Sequence, residues 1–345
     1  MRFGILGSGS WATALAKMLT DNKHEINWLL RTETAIEYFN KRGHNPNYLR
    51  SVNFNTACIK FSIDVKKVVA DSDIILMAIP SAYVEEVLKE LNKEDLQNKK
   101  IVSAIKGILP TENILLNEYL YKYFEFPLEN YFTVMGPCHA EEVAGEKLSY
   151  LSFSGLNEDV AETVSQFFKT AYINTVVNHD VIGVQYAAVL KNIYALGAGL
   201  AHGLEYGDNF LSVLIANCAD EMAGFLKKVG IEHMVVGEHE PANPVTHRKS
   251  PNYAASVYLG DLLVTCYSLY SRNRTFGTMI GKGYSVKAAQ LEMNMVAEGY
   301  NASRCIYEIN KHVHADMPIA KAIYQILWEQ WPAQKGFKQI EEVLI

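Results

Sequence analysis

With 345 residues the chain is too long for one ordinary core and suits two domains of roughly 150 to 190 residues each. Its 49% apolar and 20% charged residues, without a low-complexity tract or a Pro/Gly/Ser-rich linker, exclude a disordered chain. A net charge of -6 gives no global field for nucleic acid, so an anionic ligand has to be held by local Lys and Arg, and the expected partners are small molecules.

Arg2 to Leu6 reads as a short apolar strand. It is followed by Gly7-Ser8-Gly9-Ser10-Trp11-Ala12 and then by Trp11, Ala14, Leu15, Met18 and Leu19 at helical spacing. Strand, G-x-G turn and helix together put backbone N–H groups and the positive helix end against a pyrophosphate, and Gly7 and Gly9 are the residues that let the chain approach it. The pattern admits Ala12 in place of a third glycine, because that position serves helix packing. Trp11 has no obvious purpose in such a turn.

Further strands are expected at Glu25 to Leu30, Ile59 to Ile63, Asp73 to Ile79, Ile101 to Ile105, Tyr131 to Met135, Leu148 to Phe153 and Ala171 to Val177, most of them separated by helices. This alternation predicts an α/β fold: an N-terminal doubly wound, parallel (Rossmann) domain over 1–178 with ligands at the C-terminal strand ends. From Asp180 the texture turns helical, which predicts a mostly α-helical C-terminal domain over 179–345 and a substrate cleft where the two meet. No apolar run approaches the roughly 18 residues of a membrane span, and the first residues are not a secretory leader. Five cysteines without a C-x-x-C pair point to reduced thiols in a cytoplasm. Neither they nor the ten histidines have metal-ligand spacing, so no metal is expected.

Several single residues invite a chemical reading. Arg31 ends the second strand, where an acidic residue would hold the ribose of NAD and an arginine would pair with the 2'-phosphate of NADP; a solvated arginine is the alternative. Lys191, in AAVLKNIYALGAGL, has small or apolar neighbours on nearly every side. Burial there would lower its pKa toward proton transfer, unless it snorkels to the surface. Lys106 follows a strand at the ligand edge or is a plain surface lysine. Ser271 to Arg274 (SRNR) offers two guanidinium forks and an amide to a phosphate from a turn ahead of a helix, or is a helix cap. Asp261 stands among apolar residues as a lysine anchor or as an N-cap.

The sequence resembles the bacterial-type NAD(P)-dependent glycerol-3-phosphate dehydrogenases. The match runs through G-S-G-S-W-A-T-A-L-A at Gly7 to Ala16, N-P-N-Y-L at Asn45 to Leu49, I-K-G at Ile105 to Gly107, and G-P-C-H-A-E-E-V-A at Gly136 to Ala144. It continues with L-K-N at Leu190 to Asn192, G-D-N at Gly207 to Asn209, G-D-L-L-V-T-C at Gly260 to Cys266, S-R-N-R-T-F-G at Ser271 to Gly277 and V-A-E-G-Y at Val296 to Tyr300. The resemblance implies interconversion of sn-glycerol 3-phosphate and dihydroxyacetone phosphate with NADP or NAD, inclining to NADP, for phospholipid synthesis. It makes Lys191 the proton acceptor or donor and Asp261 the residue that orients the lysines. Lys106 would touch both cofactor and substrate.

Gly136, Cys138, Asn192, Ser271, Arg272 and Asn273 complete the implied substrate site. Ser10, Trp11, Arg31, Ala140, Arg272, Val296 and Glu298 join the glycines around the cofactor, with Trp11 on the ligand side rather than in the core. Cys138 stands where the family usually has serine, and 237–257 follows the family poorly. A β-hydroxyacid dehydrogenase and a non-catalytic dinucleotide sensor are the rival readings; SRNR and G-D-L-L-V-T-C oppose the first, the retained lysines the second. The sequence leaves the oligomeric state open, a homodimer included.

Overall fold

Short runs of Ile, Val, Leu and Phe form eight strands, each within a few residues of its expected place: β1 (Phe3–Leu6), β2 (Ile26–Leu29), β3 (Ile59–Ser62), β4 (Ile74–Met77), β5 (Lys100–Ser103), β6 (Tyr131–Met135), β7 (Ser149–Ser154) and β8 (Ile173–Asn178). They belong to a computed structural model that describes residues 1–231, 254–293 and 297–344. The chain divides into one unit of Met1–Ile105 with Ile114–Val181 and a second of Lys106–Asn113 with Ile182–Ile345.

In the first unit the strand order is β3-β2-β1-β4-β5-β6-β7-β8. The order reverses beside β1, so the turn that leaves β1 lies at the switch point where doubly wound sheets bind ligands. The helices of this unit are α1 (Ser10–Asp21), α2 (Glu33–Arg42), α3 (Val65–Ala70), α4 (Val84–Leu88), α5 (Leu116–Phe124), α6 (Ala140–Ala144) and α7 (Glu158–Gln166). Leu15 and Met18 of α1 join Phe3, Ile5, Val102, Phe132, Val134 and Phe153 of the sheet in one hydrophobic core. Each such side chain contributes about 1.5–3 kcal/mol when fully buried.

One expectation needs correction, since the sheet is not parallel throughout. β7 runs antiparallel to β6, pairing Thr133 with Ser154 and Met135 with Ser152. The segment between them turns back at Gly136, whose φ is 125°, and carries only the five-residue α6. The chain therefore returns beside β6 instead of crossing over the sheet.

Helices make up the second unit: α8 (Val181–Gly203), α9 (Asp208–Lys228), α10 (Asp261–Tyr267), α11 (Arg272–Gly281), α12 (Val286–Glu292), α13 (Glu298–Val313), α14 (Pro318–Trp328) and α15 (Ala333–Val343). A π-helical stretch, Ala254–Gly260, runs directly into α10. By length and composition α8 is apolar enough to cross a membrane, which corrects the expectation that no segment approaches that length. Its side chains are almost wholly buried, so it is the core helix of this unit, apolar all round because protein surrounds it.

The backbones of α8 and α11 touch. A Cβ on Gly199 would fall 2.0 Å from the carbonyl oxygen of Arg274, and one on Gly277 2.1 Å from that of Leu196. Gly203 and Gly281 repeat the contact one turn further on. Small residues four apart on both helices permit this approach, and side chains would push the axes to the usual 8–10 Å or beyond.

Candidate active site

Lys191 lies at the middle of α8, buried and only 4% exposed. Its Nζ donates to Asp261 Oδ1, and to Thr265 Oγ1 at 3.1 Å. Asp261, the first residue of α10, is 1% exposed and also receives Lys106 Nζ on Oδ2 at 3.3 Å. One carboxylate thus bridges two ammonium groups, and Asp261 is an anchor for lysines rather than a helix cap. Burial, with the second cation Lys106 adding to it, outweighs Asp261 and pushes Lys191 from 10.5 down to about 7. Asp261 is opposed by burial as well, yet the charges of Lys106 and Lys191 prevail and hold it below its ordinary value. A lysine near neutrality can both give and take a proton.

A line of amides surrounds this cluster. Gly299 N donates to Asn273 Oδ1 at 2.9 Å, Asn273 Nδ2 to Asn192 Oδ1 at 2.9 Å, and Asn192 Nδ2 to the Lys106 carbonyl at 2.8 Å. The line ties the start of α13, where Glu298 is the first residue, to α11, α8 and the Lys106 segment. Each asparagine keeps one N–H beyond these bonds. SRNR is not a turn ahead of the helix as expected. Ser271 is the N-cap of α11, accepting Arg274 N on its hydroxyl at 3.3 Å, while Arg272 and Asn273 lie in the first turn. The Nε of Arg274 is buried without a hydrogen-bond partner among the described residues.

In the first unit, Gly7 takes φ 126° and lies so close to β4 that a Cβ would meet the Ala78 carbonyl oxygen at 2.3 Å. A Cβ on Gly9, by contrast, would meet nothing within 4 Å, so space stands open above the turn. Ser10 is the first residue of α1 and buried. Trp11 is partly buried and packs against the hydrophobic core without being one of its buried members. Arg31 is exposed beyond the end of β2, its guanidinium 6.0 Å from the centre of the Tyr83 ring. Gly136 follows β6, and Ala140 opens α6. Val296 lies outside the described residues.

The C-terminal region, residues 180–338, matches the family model for the NAD-dependent glycerol-3-phosphate dehydrogenase C-terminus, and residues 2–161 match that for the N-terminus. The glycerol-3-phosphate dehydrogenase [NAD(P)+] of Bacillus pumilus is 34% identical over 94% of this chain and 89% of its own length. That of Bacillus subtilis is 34% identical over the same shares. The chain belongs to the NAD(P)-dependent glycerol-3-phosphate dehydrogenase family. A crystal structure of glycerol-3-phosphate dehydrogenase from Coxiella burnetii shares the fold with TM-score 0.87 and 25% identity, covering 99% of this chain and 98% of that one.

Within this family member the structure adds two details that the sequence reading lacked. Cys138 is buried and its thiol donates to the Tyr150 carbonyl at 3.2 Å, so the sulfur serves the turn between β6 and β7. Thr265 was not singled out, yet its hydroxyl receives Lys191 and donates to the Asp261 carbonyl at 2.5 Å. Its spacing of four from Asp261 on one helix face was the available signal.

Proposed function

We propose that this chain interconverts sn-glycerol 3-phosphate and dihydroxyacetone phosphate with NADPH or NADH, working physiologically toward glycerol 3-phosphate for phospholipid synthesis. The observation that carries the reading is the buried Lys191–Asp261–Lys106 cluster in a chain of this family. Residues 1–178 form the dinucleotide-binding domain of the proposal and 179–345 the substrate and catalytic domain. Dihydroxyacetone phosphate-dependent oxidation of NAD(P)H by the purified protein tests it, and no oxidation would overturn it.

The tight Gly7 backbone and the open space over Gly9 suit a pyrophosphate. A dinucleotide whose pyrophosphate is held by that turn would supply hydride to C2 of the ketone. Lys191 protonates the carbonyl oxygen as charge develops there, and Lys106 stabilises the same oxygen electrostatically. Asp261 and Thr265 fix the Lys191 ammonium in one orientation. Arg272 and the remaining N–H of Asn273 hold the phosphate, and Gly136, Cys138, Asn192 and Ser271 are the further substrate residues of this proposal. Gly7, Gly9, Ser10, Trp11, Arg31, Lys106, Ala140, Arg272, Val296 and Glu298 form the cofactor site of this proposal. The absence of any disulfide among the five cysteines supports a cytoplasmic setting. A homodimer is the assembly to test by sedimentation.

Lys191 sets the pH dependence. Reduction needs its protonated form and oxidation its neutral form, so across pH 7 the kcat for reduction should fall with rising pH and that for oxidation should rise. Initial rates in both directions between pH 6 and 9 check this, and parallel profiles would exclude Lys191 as the proton carrier.

Arg31 sets the cofactor preference through a 2'-phosphate. Arg31→Ala should weaken NADPH binding about three- to tenfold, a modest effect because the guanidinium is exposed, and leave NADH unchanged. Titration with each cofactor decides it, since equal losses would place Arg31 elsewhere.

A further inference from the structure

The N-P-N-Y-L motif at Asn45 to Leu49 takes no part in the reaction described above. Asn45 is nevertheless 2% exposed, and its carboxamide is fully engaged. Nδ2 donates to the Ser8 carbonyl at 3.1 Å and to Thr13 Oγ1 at 2.9 Å, while Oδ1 accepts from Asn47 N at 3.0 Å and Tyr48 N at 3.2 Å. Two N–H donors and two lone pairs are all that an asparagine has, so no other side chain fills this position equally.

The adjoining carbonyls of the glycine turn are held in the same way. Trp28, fully buried on β2 among the rings of Phe39, Phe54 and Phe61, donates Nε1 to the Gly7 carbonyl at 2.7 Å. Thr13 donates Oγ1 to the Gly9 carbonyl at 2.9 Å. The oxygens of Gly7, Ser8 and Gly9 are therefore gripped in succession by Trp28, Asn45 and Thr13. A trans peptide points its N–H opposite to its C=O. Gripping these oxygens turns the N–H groups of Ser8, Gly9 and Ser10 away from the three side chains, as in the backbone concavities that bind anions.

We propose that Asn45 and Trp28 are positioning residues for the dinucleotide, holding the carbonyls of the glycine turn so that its amides face the pyrophosphate. This rests on the cofactor reading above. Thr13 belongs to the same grip, but its hydroxyl is supplemented by the helical bond from its own N–H to Gly9 O, so removing it is less informative.

Asn45→Ala and Trp28→Phe test the proposal, the second removing the indole donor while keeping an aromatic ring in the core. NADH and NADPH are titrated by fluorescence into the purified protein without substrate. Both cofactors carry the pyrophosphate, so each variant should raise both Kd values by the same factor, about five- to tenfold, unlike the selective effect at Arg31. At saturating cofactor, kcat and the KM for dihydroxyacetone phosphate should remain within about twofold of wild type. Unchanged Kd values in folded variants would overturn the proposal, as would kcat falling in step with cofactor affinity. Should Asn45→Ala fail to fold, Trp28→Phe decides alone. A wild-type protein that binds neither cofactor would overturn the cofactor reading itself, a result distinct from variants that bind as well as wild type.

Discussion

Lys191→Met should leave the fold and cofactor binding in place and lower turnover by about 10²- to 10⁴-fold, the contribution of a positioned general acid or base. Methionine keeps the length and most of the volume of the side chain inside α8, and Asp261 retains Lys106 as a partner, so the loss falls on proton transfer. Stability offers a second check. The folded-state pKa of Lys191 is about 7, against an ordinary 10.5, so the unfolded chain binds the extra proton between these values. Stability therefore rises with pH across that window on account of Lys191, and the difference between wild type and Lys191→Met should grow in favour of wild type from pH 7 to 10.5. Near-normal turnover in the variant would assign the proton to another group.

The effect at Arg272 should be nearly as large. A lysine cannot reproduce two parallel N–H bonds from the first turn of α11, so even Arg272→Lys removes a charge-assisted contact worth about 1.5 to 3 kcal/mol, roughly ten- to more than a hundredfold in kcat/KM. Comparing dihydroxyacetone phosphate with dihydroxyacetone identifies the origin of the loss. Action through the phosphate erodes the preference for the phosphorylated ketone and barely touches the poor activity on the other. Equal losses on both would give Arg272 a role in fold or cofactor binding, and the buried, unpartnered Nε of Arg274 would then be the next donor to examine.

The strands were legible because each is a short apolar run, and the reversal that places the ligand edge followed from the alternation of strands and helices. The direction of β7 was not. Tyr150 to Phe153 has the same local character whichever way it pairs, and the turn at Gly136 decides the matter. Lys191 announced itself through neighbours that offer no solvated side. Its partner did not, because 70 residues separate it from Asp261 and only the packing of α10 on α8 brings them together. Asn45 was visible only as part of a motif, since its use depends on reaching Ser8 and Thr13 across more than thirty positions. The bond from the Cys138 thiol to the Tyr150 carbonyl was equally invisible in the motif, because it depends on β7 folding back beside β6.

The glycine contact between α8 and α11 acts as a ruler. Lys191 stands on one helix and Arg272 on the other, and Gly199 and Gly277 seat the two backbones directly on each other's carbonyls. If Lys191 is the proton donor and Arg272 the phosphate holder, the spacing of the backbones that carry them is set by peptide units, which do not change rotamer. A ketone with its carbonyl one carbon further from the phosphate should then be a poorer substrate, which a comparison of kcat/KM for the two ketones checks. On the proposed reading, helix spacing would then contribute to selecting a three-carbon skeleton, beyond what the side chains at the carbonyl supply.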